Sequence, residues 1–262
     1  TEDPDKLIVD IMERDVITVN THDDQELVAD MFQKYDFMAM PVCDHEGRLT
    51  GIITFDDIMD VMEQEATEDF QIMAAMTPSE EEYLGTSVFV LARHRVVWLL
   101  VLLISATFTG SIMKSFSETL ESLIVLSMFI PMLMDTGGNA GSQSSTLIIR
   151  GLATGDIKLT DALKVLKKEF LISLICGIIL STFNFARIFI FESQVPMSVA
   201  ITVSLTLITT VMMAKVIGGL LPIAAKKLKL DPAIMAGPLI TTIVDAMSLI
   251  IYFNIAQAML NI

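Results

Sequence analysis

The chain has 262 residues, of which 53% are hydrophobic, and it carries a formal net charge of −15. This apolar share is high for a soluble globular protein, whose share is nearer 45–50%, and it points away from a purely soluble fold. The charge is unevenly divided: residues 1–82 hold 23 Asp and Glu against 4 Lys and Arg, whereas residues 83–262 hold 9 against 13. We therefore predict an acidic water-soluble part followed by a weakly basic membrane part.

The two cysteines and the first residues carry limited information. Cys43 and Cys176 are too few for a disulfide framework, and we expect both to be free thiols. The chain begins at Thr1 within charged sequence and has no recognisable signal peptide. We therefore expect a piece of a longer protein.

The acidic part alternates strand-like and helix-like segments in the order strand, helix, strand, strand, helix. Runs rich in β-branched and apolar residues predict strands at 16–19, 38–43 and 49–54. A helix with one apolar face is predicted after Asp24, and a second helix is predicted from Asp56.

Three segments of this part resemble a CBS domain: Asp10–Met12, Met40–Val42 and Gly51–Ile58. CBS domains normally occur in pairs that share a cleft, and we expect the domain at residues 1–55 to be the second of such a pair. The resemblance implies that ATP or another adenosine ligand contacts Thr54 and Asp57. The alternative is that Thr54 only caps the helix that follows it.

An acidic helix is predicted from Asp56 to about Ala75, and it carries seven carboxylates with no basic residue. Like charges at this density repel one another, so a compact arrangement requires counter-cations. Carboxylate oxygens suit Mg²⁺ or Ca²⁺ better than softer metals. The alternative is a solvated acidic face. The carboxylates are those of Asp56, Asp57, Asp60, Glu63, Glu65, Glu68 and Asp69.

The basic part contains five segments long and apolar enough to cross a membrane, at 96–113, 120–149, 170–191, 198–224 and 232–259. Basic residues cluster before the first segment, between the second and third, and between the fourth and fifth. Because positive loops face the cytoplasm, the acidic domain is predicted to be cytosolic and the C-terminus outside. The predicted fold is an α-helical membrane protein with five transmembrane helices, preceded by a small α+β CBS domain and an acidic connecting helix.

Asp245 is the charged residue expected near the middle of the fifth segment. Ionisable residues inside a span are rare and usually functional. We interpret Asp245 as part of a water-filled cation path, with Thr241 and Thr242 one turn earlier and Gly237-Pro238 loosening the helix. The alternative is a protonated aspartic acid bonded to a neighbouring helix.

The second segment contains the polar stretch MDTGGNAGSQSS, residues 134–145. Its glycines and Pro131 predict an interrupted helix, which is tolerated at membrane depth where it lines a cavity or is buried in protein. Small residues alone would explain close packing, but not the acid and amides among them. The triplet Asp135-Thr136-Gly137 also matches an aspartic protease, but one copy in a membrane helix lacks the paired carboxylates that such an enzyme needs.

Three longer segments resemble the MgtE family of magnesium channels and transporters: Pro131–Ile157, Leu230–Phe253 and the link Asp56–Phe70. The resemblance implies a homodimer in the plasma membrane, with an ion path lined by the second and fifth spans. It further implies that Mg²⁺ is held through water at Asp245, with Asp231 at the cytosolic mouth. The spans contain no visible nucleophile–base pair, so we expect no enzyme activity. High cytosolic Mg²⁺ is expected to close the pore by binding the acidic helix.

The resemblance also implies residue roles. The regulatory Mg²⁺ ligands would be Asp57, Asp60, Glu65, Glu68 and Asp69, with weaker positions at Asp24, Glu26 and Asp36. The pore lining would comprise Asp135, Gly137, Gly138, Asn139, Gln143, Gly237, Pro238, Thr241 and Thr242. The predicted domains are 1–55, the gating helix 56–82 and the pore domain 83–262. One departure is Gly237, where some family members carry Asn before the Pro.

Two other functions remain open from the residues. The first is a proton- or sodium-coupled carrier of divalent cations with Asp245 as its coupling site. The second is a membrane-anchored nucleotide sensor built on Thr54 and Asp57, which would leave Asp245 unexplained. Selectivity over Ca²⁺, Mn²⁺ and Co²⁺ does not follow from the sequence.

Overall fold

The computed structural model describes residues 5–260. Residues 1–4, where the predicted cytosolic domain begins, and residues 261–262, which carry the C-terminus predicted to lie outside, fall beyond the described residues. The chain divides into two compact units, Thr1–Glu68 and Asp69–Ile262.

The first unit contains the predicted order of strand, helix, strand, strand and helix, preceded by a short helix. β1 (Val19–Asn20) pairs in parallel with β2 (Ala39–Cys43), and β2 pairs antiparallel with β3 (Leu49–Thr54), which gives the sheet order β1-β2-β3. The first strand is two residues long, shorter and later than predicted. The elements are α1 Ile8–Ile11, β1 Val19–Asn20, α2 Gln25–Tyr35, β2 Ala39–Cys43, β3 Leu49–Thr54 and α3 Phe55–Met73.

The core of the first unit lies between the sheet and its helices. Phe32 of α2, Met40 of β2 and Ile58 of α3 are almost completely buried. The β2–β3 turn is fixed by Asp44, whose carboxylate accepts hydrogen bonds from the N–H groups of Glu46 and Arg48. Gly47 has a φ of 75°, a conformation that glycine adopts without a steric cost. This packing holds the N-terminal end of α3 against the sheet.

The second unit is helical. It contains α4 Val88–Ser115, α5 Ser117–Ser122, α6 Ile130–Ala153, α7 Ala162–Phe191, α8 Met197–Lys227 and α9 Gly237–Leu260. Shorter 3₁₀ segments lie at Ile124–Phe129, Leu159–Asp161 and Pro232–Met235. α6, α8 and α9 pack against one another, α7 packs on α8, and α4 packs on α9.

By length and composition, 4 helical segments of the described residues can cross a membrane: α4, Leu159–Phe191 containing α7, α8 and α9. α6 is long enough, at 24 residues, but it is too polar to be included. Four of the five predicted spans therefore have a sufficiently apolar helix. The remaining one, the second span at 120–149, stays a prediction.

The structure corrects the predicted second segment, 120–149, in two respects. Residues before Ile130 form α5 and a 3₁₀ segment, so the helix begins close to Pro131, which lies in its first turn. The predicted interruption at the glycines is wrong, because α6 is continuous from Ile130 to Ala153. Tertiary packing outweighs the low helix propensity of glycine here, since α8 and α9 lie against the glycine face.

The fifth segment is also corrected. Pro232–Met235 is a 3₁₀ turn, and α9 begins at Gly237. Gly237 and Pro238 therefore start the helix instead of loosening its interior. Gly237 has a φ of 44°, and proline is well tolerated in a first helical turn, where its missing N–H has no intrahelical role.

Candidate ion pathway and carboxylate sites

α6 approaches α9 through glycines that leave no room for side chains. A Cβ on Gly138 would lie 3.1 Å from Thr241 Cγ2 and 3.8 Å from Asp245 Oδ1. A Cβ on Gly141 would lie 3.1 Å from Val244 Cγ2. The structure therefore brings together predicted site residues of two segments that are about 100 positions apart in the chain: the glycines of α6 and the Thr241–Asp245 stretch of α9.

Asp245 is partly exposed, and its carboxylate forms no hydrogen bond within the described residues 5–260. The Asp135 carboxylate lies close enough to interact with it electrostatically. The side chains of Thr241 and Thr242 both donate to the Pro238 carbonyl oxygen, at 2.9 Å. Each threonine oxygen keeps lone pairs that can accept a hydrogen bond from a water molecule or a hydrated cation.

Asp135, Asn139 and Gln143 lie four residues apart on α6 and are all exposed in the single chain. They line a cavity of about 380 Å³ between α6, α7 and α8, together with Lys215. The predicted pore residues of α6 thus divide between two faces. Gly137 and Gly138 face α8 and α9, while the acid and the two amides form a polar stripe on the exposed face.

Asp231 lies just before α9, where it is the N-cap of the 3₁₀ segment Pro232–Met235. Its Oδ1 accepts a hydrogen bond from the Ala233 N–H at 2.7 Å. The adjoining segment is fixed to α6, because the Ser145 hydroxyl donates to the Met235 carbonyl oxygen. Ile72 and Met73, at the end of α3, pack against Ile149, Ala233 and Ala236.

Thr54 and Asp57 form a capping arrangement at the start of α3. Asp57 Oδ2 accepts hydrogen bonds from the Thr54 N–H at 3.1 Å and from the Thr54 hydroxyl at 2.6 Å. These bonds, first the one from the hydroxyl, lower the pKa of Asp57. Both groups predicted to contact an adenosine ligand therefore have a structural role at the helix terminus.

The other predicted regulatory carboxylates are distributed along α2 and α3. Glu65 accepts a hydrogen bond from Gln25 Nε2 at 2.7 Å, and Asp24 caps α2 through the Glu26 N–H. Asp36 ends α2 in a left-handed conformation. Within residues 5–260, no three His, Cys, Asp or Glu side chains lie close enough together to hold a metal ion. The structure thus leaves Asp60, Glu68 and Asp69 spread along one helix.

Sequence reasoning missed two buried charged residues, Lys215 of α8 and Glu169 of α7, each only 6% exposed. Lys215 Nζ donates to Gln143 Oε1 at 3.3 Å and to the Ala140 carbonyl oxygen at 3.5 Å. Glu169 Oε2 accepts a hydrogen bond from the Ser144 hydroxyl at 2.6 Å. The rule that pointed to Asp245 could have found Lys215, because it also lies inside a predicted span.

Comparison with known sequences finds two matching families and several named relatives. Residues 130–255 match the family MgtE, described as "Divalent cation transporter", and residues 8–64 match the CBS domain. Proteins named "Magnesium transporter MgtE" are 39% identical in Thermus thermophilus, 36% in Bacillus subtilis and 35% in Enterococcus faecalis. These alignments cover 97–99% of this chain but 55–57% of the relatives, so the chain spans little more than half their length.

The fold and these matches define a membrane protein with a CBS domain before a helical transporter domain. Residues 130–255, in the membrane part of the chain, belong to the MgtE family of divalent cation transporters, as the membrane motifs predicted. The family description is that of a transporter and not of an enzyme.

Proposed function

We propose that this chain forms the membrane pathway and part of the gate of a homodimeric Mg²⁺ channel that imports Mg²⁺ across the plasma membrane. The observation that carries the proposal is the contact of the α6 glycine face with the Thr241–Asp245 stretch of α9, beside an exposed polar stripe on α6. Three relatives named as magnesium transporters support Mg²⁺ as the transported ion.

The polar stripe supports a fifth span and a second subunit. α6 has 24 residues, which corresponds to about 36 Å of helix and is enough to cross a bilayer. Asp135 and Asn139 would be costly against lipid, since unpaired polar groups in hydrocarbon lose their hydrogen bonds, whereas Gln143 Oε1 keeps the bond from Lys215. A partner subunit or a water-filled path between two subunits would remove that cost.

Hydrated Mg²⁺ fits the chemistry of this path. Mg²⁺ gives up its water reluctantly and prefers oxygen ligands in octahedral geometry. Asp245 has free carboxylate oxygens, and the nearby threonine oxygens can accept hydrogen bonds from coordinated water. In the proposed dimer, Asp245 of each subunit faces the ion, and Asp231 lies near the cytosolic mouth. Gly237 contributes no side chain to the path.

Regulation is proposed to act through the carboxylates of α3 and α2. Mg²⁺ bound between Asp57, Asp60, Glu65, Glu68 and Asp69 would offset their mutual repulsion and stabilise a closed form. Because these acids are spread along α3, bridging requires carboxylates from a second element or subunit. Asp24, Glu26 and Asp36 of the CBS domain are the proposed additional ligands.

An adenosine ligand such as ATP is a further proposal for the CBS domain. It would contact Thr54 and Asp57, so it must compete with the two hydrogen bonds that join these residues. Isothermal titration with ATP tests this point, and Asp57→Ala should abolish any heat of binding that arises at this site.

The membrane orientation follows from charge. Lys226 and Lys227 lie in the last turn of α8, and Lys229 follows it. Lys158 precedes α7, and Lys164, Lys167 and Lys168 lie in its first two turns. With these ends in the cytosol, the CBS domain is cytosolic and the C-terminus is outside. Cysteine-accessibility labelling from each side of the membrane tests the orientation.

The decisive experiment is Mg²⁺ uptake into proteoliposomes that contain a Mg²⁺-sensitive dye. Asp245→Asn should abolish uptake, because the variant lacks the charge that attracts the hydrated cation. Asp161→Asn is the control, since Asp161 is outside the predicted spans and pairs with Lys164 at 2.7 Å. Equal uptake by wild type and Asp245→Asn would remove Asp245 from the pathway. Dependence of the uptake on a pH or Na⁺ gradient would favour a coupled carrier.

Gating is tested separately. A variant with Asp60→Asn, Glu65→Gln and Glu68→Gln should keep uptake but lose its inhibition by internal Mg²⁺. Glu80→Gln, Glu81→Gln and Glu82→Gln in one chain remove the same charge outside α3 and serve as the matched control. Unchanged inhibition in the α3 variant would contradict the proposed regulatory site.

A further inference from the structure

Lys215 is a buried ammonium group directly behind the proposed pore helix. It lies in α8, 12 residues before Lys227 at the end of that helix, which corresponds to about 18 Å along the axis. Only 6% of Lys215 is exposed. A charged group at this depth carries a high desolvation cost unless it has a compensating role.

The hydrogen bonds of Lys215 are confined to α6. It donates to Gln143 Oε1 at 3.3 Å and to the Ala140 carbonyl oxygen at 3.5 Å, which are both long for a charged donor. No Asp or Glu in the described part of the chain forms an ion pair with it. Within the described residues, no carboxylate therefore lies at contact distance to neutralise the Lys215 charge. The electric field of Lys215 extends into the surrounding cavity.

That cavity is the one lined by the polar stripe of α6. Lys215 and Asp135 both line this cavity, which has a volume of about 380 Å³. Asp135 also interacts electrostatically with Asp245. Two carboxylates that face a cation path would hold a divalent ion strongly. A fixed positive charge nearby opposes that attraction. Conduction requires binding that is favourable enough for entry and weak enough for release.

We propose that Lys215 is a positioning residue that sets how tightly the ion path holds its cation. Its ammonium holds Gln143 and the Ala140 carbonyl of α6 in place. Its charge also weakens the hold of the Asp135 and Asp245 carboxylates on the passing cation. This inference rests on the proposed transport function, and it adds a residue of α8 to a path otherwise assigned to α6 and α9.

The test is the Mg²⁺ dependence of uptake into proteoliposomes for wild type, Lys215→Met, Lys215→Gln and Lys215→Arg. The two neutral variants should lower the KM for Mg²⁺ about three- to tenfold and lower the maximal rate, because the ion is held more tightly. Lys215→Arg should stay close to wild type in both quantities. Lys164→Met, which removes an exposed charge outside the predicted spans, is the control and should leave both unchanged.

The KM separates electrostatic control from a merely structural role. Loss of packing would lower the maximal rate without lowering the KM. Neutral variants with an unchanged or raised KM, or Lys215→Arg behaving like Lys215→Met, would overturn the proposal. Failure of both neutral variants to fold while Lys215→Arg folds would also overturn it, because Lys215 would then act in stability. Absence of uptake by wild type would instead contradict the proposed function itself.

Discussion

The backbone carbonyl oxygen of Met73, at the end of α3, lies against Gly237, the first residue of α9, in the space that a Cβ on Gly237 would occupy. Gly237 also has a φ of 44°. Both observations favour glycine at this position. A Cβ would overlap the Met73 carbonyl oxygen, and the backbone is in the left-handed region that other residues rarely adopt. The end of the acidic helix is thus in direct contact with the start of a proposed pore helix.

Gly237→Ala should weaken this contact. The left-handed conformation costs a non-glycine residue roughly 1–2 kcal/mol, and the overlap with Met73 should add about 1–3 kcal/mol. We expect a lower thermal unfolding midpoint in detergent. Under the proposed gating, the variant should also need more internal Mg²⁺ for half-maximal inhibition of uptake.

Gly155→Ala is the matched control for Gly237→Ala. Gly155 has a φ of 73°, but a Cβ there meets nothing within 4 Å. It should show the backbone cost alone and leave the inhibition by Mg²⁺ unchanged. Equal effects of the two substitutions on stability would mean that the Met73 contact contributes nothing.

The close approach of α6 to its neighbours predicts a second substitution effect. A Cβ on Gly137 would lie 2.8 Å from Thr210 Cγ2 and 3.0 Å from Ser248 Oγ. Gly137→Ala should therefore overpack the interface and lower the stability by about 1–3 kcal/mol. Gly110→Ala in α4 is the control, since its Cβ meets nothing within 4 Å and alanine favours a helix by about 1 kcal/mol. Thermal unfolding midpoints of the two variants should shift in opposite directions.

The sequence predicted the elements that depend on local pattern. Alternation and turn residues identified β3 and its turn, and long apolar runs identified α4, α7, α8 and α9. The resemblance of the MDTGGNAGSQSS and Leu230–Phe253 segments also identified the family. Local pattern failed at Gly137 and Gly138, because their low helix propensity is overridden by packing against helices distant in the chain. It also failed at Pro131, which starts α6 instead of interrupting it.

The candidate site was predictable only where a residue is unusual by itself. Asp245 is an acid within an apolar run, so its position alone indicated a role. Glu169 lies at the edge of a lysine-containing loop and looks like a surface residue. Its burial depends on Ser144 and Gly219, which come from two other helices. Three-dimensional proximity of this kind leaves no periodic signal in one sequence.

The buried pair of Ser144 and Glu169 predicts a third effect. The Ser144 hydroxyl is the hydrogen-bond donor to Glu169 Oε2, and it supplies the carboxylate's contact with α6. Ser144→Ala leaves that buried oxygen unsatisfied, so stability should fall by about 1–3 kcal/mol. Ser111→Ala is the control, because its hydroxyl is exposed and bonds only to its own helix. A thermal unfolding midpoint of Ser144→Ala equal to that of Ser111→Ala would contradict the assigned hydrogen bond.

The capping arrangement of Thr54 and Asp57 predicts a pH dependence at the start of α3. The hydroxyl and N–H of Thr54 stabilise the charged carboxylate and lower the pKa of Asp57 from its ordinary value of 3.8. Because the pKa is lower in the folded state, the charged carboxylate contributes stability above pH 3.8. This contribution is lost as the pH falls through the folded-state pKa of Asp57. Asp57→Asn lacks the charge at every pH.

We therefore expect hydrogen–deuterium exchange in peptides covering residues 49–60 to be slower in wild type than in Asp57→Asn at pH 6. The difference should shrink as the pH falls below 3.8 and through the lowered folded-state pKa of Asp57, where the wild-type carboxylate becomes neutral. Asp60→Asn is the control on the same helix, because Asp60 forms no hydrogen bond within the described residues and should show no such convergence. Comparison at equal pH removes the intrinsic pH dependence of exchange. A difference between wild type and Asp57→Asn that stays constant at every pH at which the protein is folded would show that the charge of Asp57 does not stabilise the helix terminus.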